Sequence, residues 1–321
     1  MKYKLSIISA CYNEAGNVEE LAERIDKVMS AEKDYEYELI FSDNDSTDGT
    51  QEVIRKIAKN NSNVKAVFNN RNYGPRRSPK NAAKHATGDA VLFIASDLQD
   101  PPELIPQFLR EWENGYKLVY GQKATSDEGI IKHGLRSLFY EIINLFSDYK
   151  QYKHISGISL HDSVVLSEML EADEDMEFRF MIAEMGYPVK LITYRQNKRK
   201  SGKSSYNARK YFAFAMESMI STTTAPLRVA TVFGLVIAFV CFLIAIGYLI
   251  YKLKYWNEFV VGTAPLVIGI FFLGAVQLVF IGLVGEYVGT ILKKVTKKMP
   301  VIEKELINFK EEKKDDTTKD F

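Results

Sequence analysis

AVLFIASDLQDPPEL, Ala90–Leu104, joins two kinds of sequence at one point. Ala90–Ala95 is an unbroken apolar run of strand length, the pattern of a strand covered on both faces. Ser96, Asp97, Gln99 and Asp100 follow at once. Pro101 and Pro102 then stiffen the turn, and Glu103 opens a helix. In open α/β sheets, ligands sit beyond the carboxyl ends of the strands, so a polar cluster at that point is a candidate site.

The same arrangement recurs upstream. Lys4–Ala10, Glu38–Ser42 and Val64–Phe68 read as buried strands. Between them, Asn17–Ala31 carries Val18, Leu21, Ile25, Val28 and Met29 at helical spacing, and Thr50–Asn60 carries Val53, Ile54 and Ile57. Alternating strands and helices predict an α/β domain with a mostly parallel sheet. Two further polar clusters close strands. In ACYNEAGNV, Ala10–Val18, Asn13 and Glu14 can meet a base or ribose, or Asn17 simply caps the helix. SDNDSTDGT, Ser42–Thr50, holds more carboxylates and amides than a turn requires. Asp48 or Thr47 suffices as a cap and Gly49 relaxes the turn, which leaves Asp43 as the ligand candidate. The oxygens of Asp97, Gln99 and Asp100 suit a hard divalent cation, Mg²⁺ or Mn²⁺.

The last third changes character. Leu227–Tyr251 has one charge, Arg228, and Phe259–Leu292 has one, Glu286. A bilayer core takes about 20 helical residues, and both runs are long enough. Their linker, Lys252–Glu258, carries Tyr255 and Trp256, an interfacial pair. Arg209, Lys210 and Arg228 precede the first run, and Lys293, Lys294, Lys297 and Lys298 follow the second. Positive-inside reasoning predicts a two-helix hairpin with both outer ends, and the large domain, in the cytosol. Ile130–Phe146 and Tyr206–Ile220 are amphipathic, fit either for the membrane interface or for ordinary packing. The expected organisation is a cytosolic domain over 1–205, a juxtamembrane amphipathic helix over 206–226, two spanning helices over 227–292, and a cytosolic charged tail over 293–321, loose from about Glu303.

A basic segment, YRQNKRKSGKSSY, precedes the hairpin and holds Arg195, Arg199 and Lys203. Arginine forks suit phosphate oxygens, and lysines suit anionic lipid heads. Gly202-Lys203-Ser204 is not a Walker loop, because Asn197 stands where the first glycine belongs. A formal net charge of +1 gives no field for nucleic acid. The four histidines lack zinc spacing, and the two cysteines, Cys11 and Cys241, suit a reducing cytosol. The apolar core of MKYKLSIISACYNE is too short for a signal peptide.

Taken in order, the motifs resemble family 2 glycosyltransferases of the polyprenyl-phosphate sugar transferase type. The matching stretches are YNE (Tyr12–Glu14), DNDSTDGT (Asp43–Thr50), RNYG (Arg71–Gly74), TGDAV (Thr87–Val91), DLQDPPEL (Asp97–Leu104) and RKSGKSSY (Arg199–Tyr206). The resemblance implies a GT-A fold, a UDP- or GDP-sugar donor, a Mg²⁺ or Mn²⁺ ion and a polyprenyl phosphate acceptor. It implies that Tyr12, Asn13, Glu14, Asp43, Asp45, Arg71 and Ser96 meet the nucleotide sugar. Asp97 and Gln99 would hold the metal, and Arg195, Arg199 and Lys203 would meet phosphates. Asp97, Asp162 and Asp175 are the catalytic candidates. Similar proteins can be homo-tetramers.

The sequence departs from the family pattern at three places. Ala95 replaces the first carboxylate of the usual DAD, Asn44 replaces the second Asp of DDGSTD, and Ser156–Val165 lacks an arginine common after its glycine. Glu174-Asp175 fits either a general base or a solvated charge run. Two other functions share the fold: a processive polysaccharide synthase, which usually carries a QxxRW motif absent here, and a non-catalytic membrane scaffold.

Overall fold

The structure is a computed structural model that describes residues 2–124, 152, 155–172, 178–197, 225–255, 263–296 and 299–309. The expected Ile130–Phe146 and Tyr206–Ile220 helices lie outside those residues.

Four parallel strands form the centre: β1 (Tyr3–Cys11), β2 (Tyr35–Asp43), β3 (Val64–Asn69) and β4 (Ala90–Ala95). Three more, β5 (Leu118–Lys123), β6 (Ile155–Asp162) and β7 (Val189–Tyr194), extend the sheet on one side, and β8 (Glu303–Ile307) closes the other. The order is β7-β5-β6-β4-β1-β2-β3-β8, with β6 and β8 antiparallel to their neighbours. The expected α/β, mostly parallel sheet is therefore observed.

Helices α1 (Val18–Ala31), α2 (Thr50–Asn60), α3 (Gly74–Ala83) and α4 (Ile105–Glu113), with α5 (Ser163–Ala172) and α6 (Phe178–Met185), cover the sheet. The sequence periodicity of α1 is realised in packing: Val18, Leu21, Ile25 and Met29 are buried. They meet Leu5, Ile7, Leu39 and Phe41 from β1 and β2 in the main core. Ile8, Ile40, Val67 and Phe93 face the other way, into a second cluster. Strands whose successive residues are buried on both faces explain the unbroken apolar runs.

The TGDAV motif is structural. A Cβ on Gly88 would stand 2.6 Å from the Ser6 backbone nitrogen and 2.7 Å from the Lys4 carbonyl oxygen, so only glycine fits. Its N–H donates to Ser6 Oγ at 2.9 Å, and Asp89 accepts the Lys4 N–H at 2.8 Å. That pair locks β4 against β1 at the end opposite the polar clusters.

The chain divides into two compact units, one holding the eight described strands and the other holding the long helices α7 (Ala225–Lys254) and α8 (Thr263–Val295). Within the second unit, Gly234 of α7 lies under the Phe280 ring of α8, where a Cβ would stand 3.4 Å from the ring edge. Phe272–Leu292 of α8, 21 residues of mean hydropathy 1.8, is long and apolar enough to cross a membrane by length and composition.

One expectation is corrected. The tail is not wholly loose, because Glu303–Ile307 pairs antiparallel with β3, setting Leu306 against Val67 and Ile307 against Ala66. Its burial alternates, so every second residue, Glu303, Glu305 and Ile307, faces the protein. Two of the three are charged, and each is paired. Glu303 accepts from Asn81 Nδ2 and contacts His85 Nε2, both at 2.6 Å, and Glu305 accepts from Arg55 at 2.7 Å. The His85 contact, with the Asn81 bond adding to it, holds the Glu303 carboxyl below its usual range although burial pushes it up. The sequence there reads as charged because three of its five residues, Glu303, Lys304 and Glu305, carry charges.

Candidate functional site

The registers put the polar clusters side by side. Cys11 at the end of β1 lies opposite Asp43 at the end of β2, and Ala10 lies opposite Ala95 at the end of β4. Asp43 in turn lies opposite Phe68, next to Asn69 at the end of β3. Four consecutive parallel strands thus deliver YNE, SDNDSTDGT, the Asn69–Gly74 loop and SDLQD to one rim.

The interior of this rim is a hydrogen-bonded scaffold. Asp43 is fully buried and accepts from the Ser46 N–H at 3.1 Å, the Ser46 hydroxyl and Gln51 Nε2 at 2.6 Å. A carboxylate so enclosed organises its loop. Ser46 Oγ passes the order on by accepting the Asn13 N–H at 2.9 Å, while Asn13 Oδ1 accepts the Thr47 N–H at 2.9 Å. Asp48 ties the two loops together, accepting from the Thr50 and Ala15 N–H groups, each at 3.1 Å. Burial pushes its carboxyl up, but these bonds and the Thr50 hydroxyl outweigh that and hold it down. Gly49, not Asp48, is the N-cap of α2 and makes no side-chain cap bond, so Asp48 serves as a tie just outside the helix. Asn17 stands at the N-cap of α1 without a side-chain cap bond, and its amide donates instead to the buried Glu14 carboxylate. Glu14 is held inside, like Asp43. Burial also raises the Cys11 thiol, with Asp43 and Glu14 nearby adding to the effect.

Other members of the predicted set form the accessible edge. Tyr12 is 47% exposed. Asn13 and Asp45 adopt left-handed backbone, φ 58° and 64°, which turns the chain sharply at the strand ends. Arg71 is exposed and stacks on the Tyr73 ring, its guanidinium carbon 4.1 Å from the ring centre. Asp97 is half-buried, and its one described hydrogen bond is from the Gln99 N–H at 3.2 Å. Ser96 is buried and donates to the Ala10 carbonyl at 2.8 Å, so it ties β4 to β1.

The far side of the site comes from β7. The Tyr194 hydroxyl donates to Asp100, and Gln196 Nε2 donates to the same oxygen at 3.0 Å. Asp100 is 2% exposed, and burial raises its carboxyl despite those bonds and the nearby Lys123 charge. The Asn197 N–H donates to the Gln99 carbonyl at 2.9 Å. Arg195 therefore lies in the short segment bonded to the SDLQD turn at both Asp100 and Gln99. Arg199, Lys203 and Asp175 lie outside the described residues.

Asp162 is corrected. It lies opposite Ala90, at the beginning of β4, so the six-residue strand separates it from Asp97. At about 3.3 Å per residue that is roughly 20 Å. There it accepts from Trp112 Nε1 at 3.1 Å and the Val164 N–H at 3.2 Å, a tie between α4 and the start of α5.

Sequence reasoning passed over the asparagines. Asn44 Oδ1 accepts the Tyr73 N–H at 2.8 Å, and its amide donates to Asn72 Oδ1 at 2.9 Å. Asn69, fully buried, donates to Ser78 Oγ at 2.9 Å. An amide at position 44 can both donate and accept, which a carboxylate there could not. The density of asparagine in NNRNYG was the available signal.

The Glycosyl transferase family 2 model matches residues 6–171. An uncharacterized glycosyltransferase of Synechocystis sp. is 31% identical over 92% of this chain and 93% of its own. A bactoprenol glucosyl transferase of Shigella phage SfV is 30% identical over 90% of this chain and 94% of its own. A prophage bactoprenol glucosyl transferase homolog of Escherichia coli K12 is 29% identical over 89% and 94%. With strand ends, loops and motifs all on one rim, and these likenesses running nearly end to end, the chain belongs to glycosyl transferase family 2 and is a glycosyltransferase.

Proposed function

We propose that the protein transfers a single sugar from a nucleoside-diphosphate sugar, a UDP-hexose, to a polyprenyl phosphate. The observation that carries this reading is the near full-length likeness to relatives named bactoprenol glucosyl transferase, which includes the apolar C-terminal region as well as the sheet. Helices α7 and α8 would form a membrane hairpin with the sheet domain on the cytosolic side, and the segment from Arg195 onward would meet the lipid phosphate.

The chemistry suits the residues. An acceptor phosphate is already largely ionised near pH 7, so its oxygen can attack the anomeric carbon without a strong general base. Attack opposite the leaving diphosphate inverts the anomeric centre. Tyr12, Asn13, Asp45 and Arg71 would hold the nucleotide, and Arg195, Arg199 and Lys203 would bring the acceptor alongside, a proximity effect. The half-buried Asp97 carboxylate and the Gln99 side chain are hard oxygen donors that fit Mg²⁺ or Mn²⁺. A cation bound there would offset charge on the departing diphosphate.

A donor screen tests the reading. Purified full-length protein in detergent, with Mn²⁺ and undecaprenyl phosphate, receives radiolabelled UDP-glucose, UDP-N-acetylglucosamine or GDP-mannose in turn. One donor should yield a lipid product carrying a single sugar. A polymeric product, or no lipid product from any donor, would overturn it.

A further inference from the structure

The chain after α8 does more than close the sheet edge. The Ile302 N–H donates to the Tyr73 hydroxyl at 3.1 Å, and that hydroxyl donates onward to Asn70 Oδ1 at 2.7 Å. The Asn70 N–H answers by donating to the Ile302 carbonyl at 3.0 Å. Arg77 donates to the Met299 carbonyl, and its guanidinium lies 5.6 Å from the Tyr73 ring centre. Arg71 stacks on that same ring at 4.1 Å. The segment is fixed at its other end as well: Asn308 Nδ2 donates to the carbonyls of Ala58 and Val64, both at 2.8 Å.

Each contact at the loop reaches a residue between Asn70 and Arg77. A loop that runs through Asn70, Arg71 and Asn72 and passes through Gly74 at φ 86° has little intrinsic preference for one shape. Asn44 holds it from the β2 side through the Tyr73 N–H and Asn72. The C-terminal segment holds it from the opposite side through the Tyr73 hydroxyl and Asn70. With both in place the Tyr73 ring has a fixed plane, and the Arg71 guanidinium stacked on it has a fixed position at the accessible rim.

We propose that residues Met299–Asn308 are a brace for the donor site, and that Tyr73 is the positioning residue through which they set Arg71 for a nucleoside diphosphate. The inference rests on the reading that this rim binds the donor nucleotide. The brace is supplied by residues more than two hundred positions later in the chain than the loop, after the long helices in sequence. Its effect is on donor affinity, because it orders a binding side chain before the ligand arrives.

The test uses the full chain in detergent, with binding of UDP and of GDP measured by calorimetry alongside transfer kinetics. Tyr73→Phe removes only the hydroxyl and keeps the stacking ring. Asn308→Ala loosens the segment at the end remote from the loop. Both should weaken whichever nucleotide the wild-type chain binds by about three- to tenfold, the worth of one net hydrogen bond. Donor KM should rise by the same factor while kcat and acceptor KM hold. A merely structural role predicts the reverse pattern, less active protein with unchanged KM. Wild-type affinity in Tyr73→Phe overturns the brace alone. A wild-type chain that binds neither UDP nor GDP overturns the functional reading and the brace with it.

Discussion

The backbone N–H of Asn197 donates to the carbonyl of Gln99 at 2.9 Å, joining the segment after β7 to the turn after β4. Tyr194 and Gln196 bind Asp100 from the same segment. The basic run that sequence alone sets nearly a hundred residues from SDLQD thus starts at that turn. In the proposed reaction, which brings an anionic acceptor to an anionic leaving group, this adjacency would serve both.

Asp97 is the side chain on which the transfer chemistry should depend most. Asp97→Asn keeps the shape and the contact with the Gln99 N–H but removes the charge. Transfer should fall at least about a hundredfold, and stability should stay within about 0.5 kcal/mol because the group is half-buried with one described hydrogen bond. A chelator should abolish wild-type transfer, and added Mn²⁺ should restore it. Transfer rates and thermal melts check both halves.

Asp100 and Tyr194 should respond in opposite directions. Burial raises the Asp100 carboxyl, so its ionised form costs stability above its folded pKa, and that cost fades as pH falls through it. Asp100→Asn keeps an acceptor for Tyr194 and Gln196, and should melt at or above wild type at pH 7, with the gap closing toward acid. Tyr194→Phe strips a donor from a buried carboxylate and should cost about 1–3 kcal/mol. Chemical denaturation across pH reads both.

Glu38 should carry part of the acid sensitivity. Burial pushes its carboxyl up, but bonds from Lys65, Ser6, the Thr87 N–H and Lys4 prevail and bring it down to about 2 from an ordinary 4.5. A depressed carboxyl stabilises the fold above its unfolded pKa, and the contribution disappears as pH falls from about 4.5 toward 2. The shift corresponds to about 3 kcal/mol. Glu38→Gln should lose that order of stability at pH 7 and progressively less below pH 4.5, read by denaturation midpoints.

Gly88→Ala should be far more damaging than a surface glycine replacement. The new methyl would stand 2.6–2.7 Å from backbone atoms of Lys4 and Ser6, which cannot rotate aside. A loss of more than about 3 kcal/mol is expected, with little soluble full-length protein. Gly115→Ala, at φ 94° with open space around it, should cost only about 1 kcal/mol.

The central strands were legible because burial on both faces leaves an unbroken apolar signal. Ala90–Ala95 and Thr50–Asn60 fall where the spacing puts them, and β1 and β2 are each a few residues longer. Strands β5, β6 and β7, beyond β4, were not legible: Leu118–Lys123 is apolar only over its first three residues, and Ile155–Asp162 mixes serine, histidine and aspartate into its pattern. β8 was hidden by its charges, which are satisfied by Arg55, Asn81 and His85 from α2, α3 and the turn after it. The motifs do gather at one rim of the sheet, but they do not announce what each residue does there. Asp43 and Glu14 are inside its scaffold, Asp162 is at the other end of the sheet, and the bond between the Tyr73 N–H and Asn44 links two motifs whose spacing gives no sign of it.

In the proposed reaction a lipid phosphate receives the sugar. The direct measurement is nucleoside diphosphate release by the purified full-length protein, with Mn²⁺ and the donor found in the screen, in the presence and absence of undecaprenyl phosphate. Release should be slow without the lipid, should rise at least about tenfold with it, and should match the lipid-linked sugar formed mole for mole. Release that is indifferent to the lipid, or that yields no lipid-linked sugar, would contradict the account.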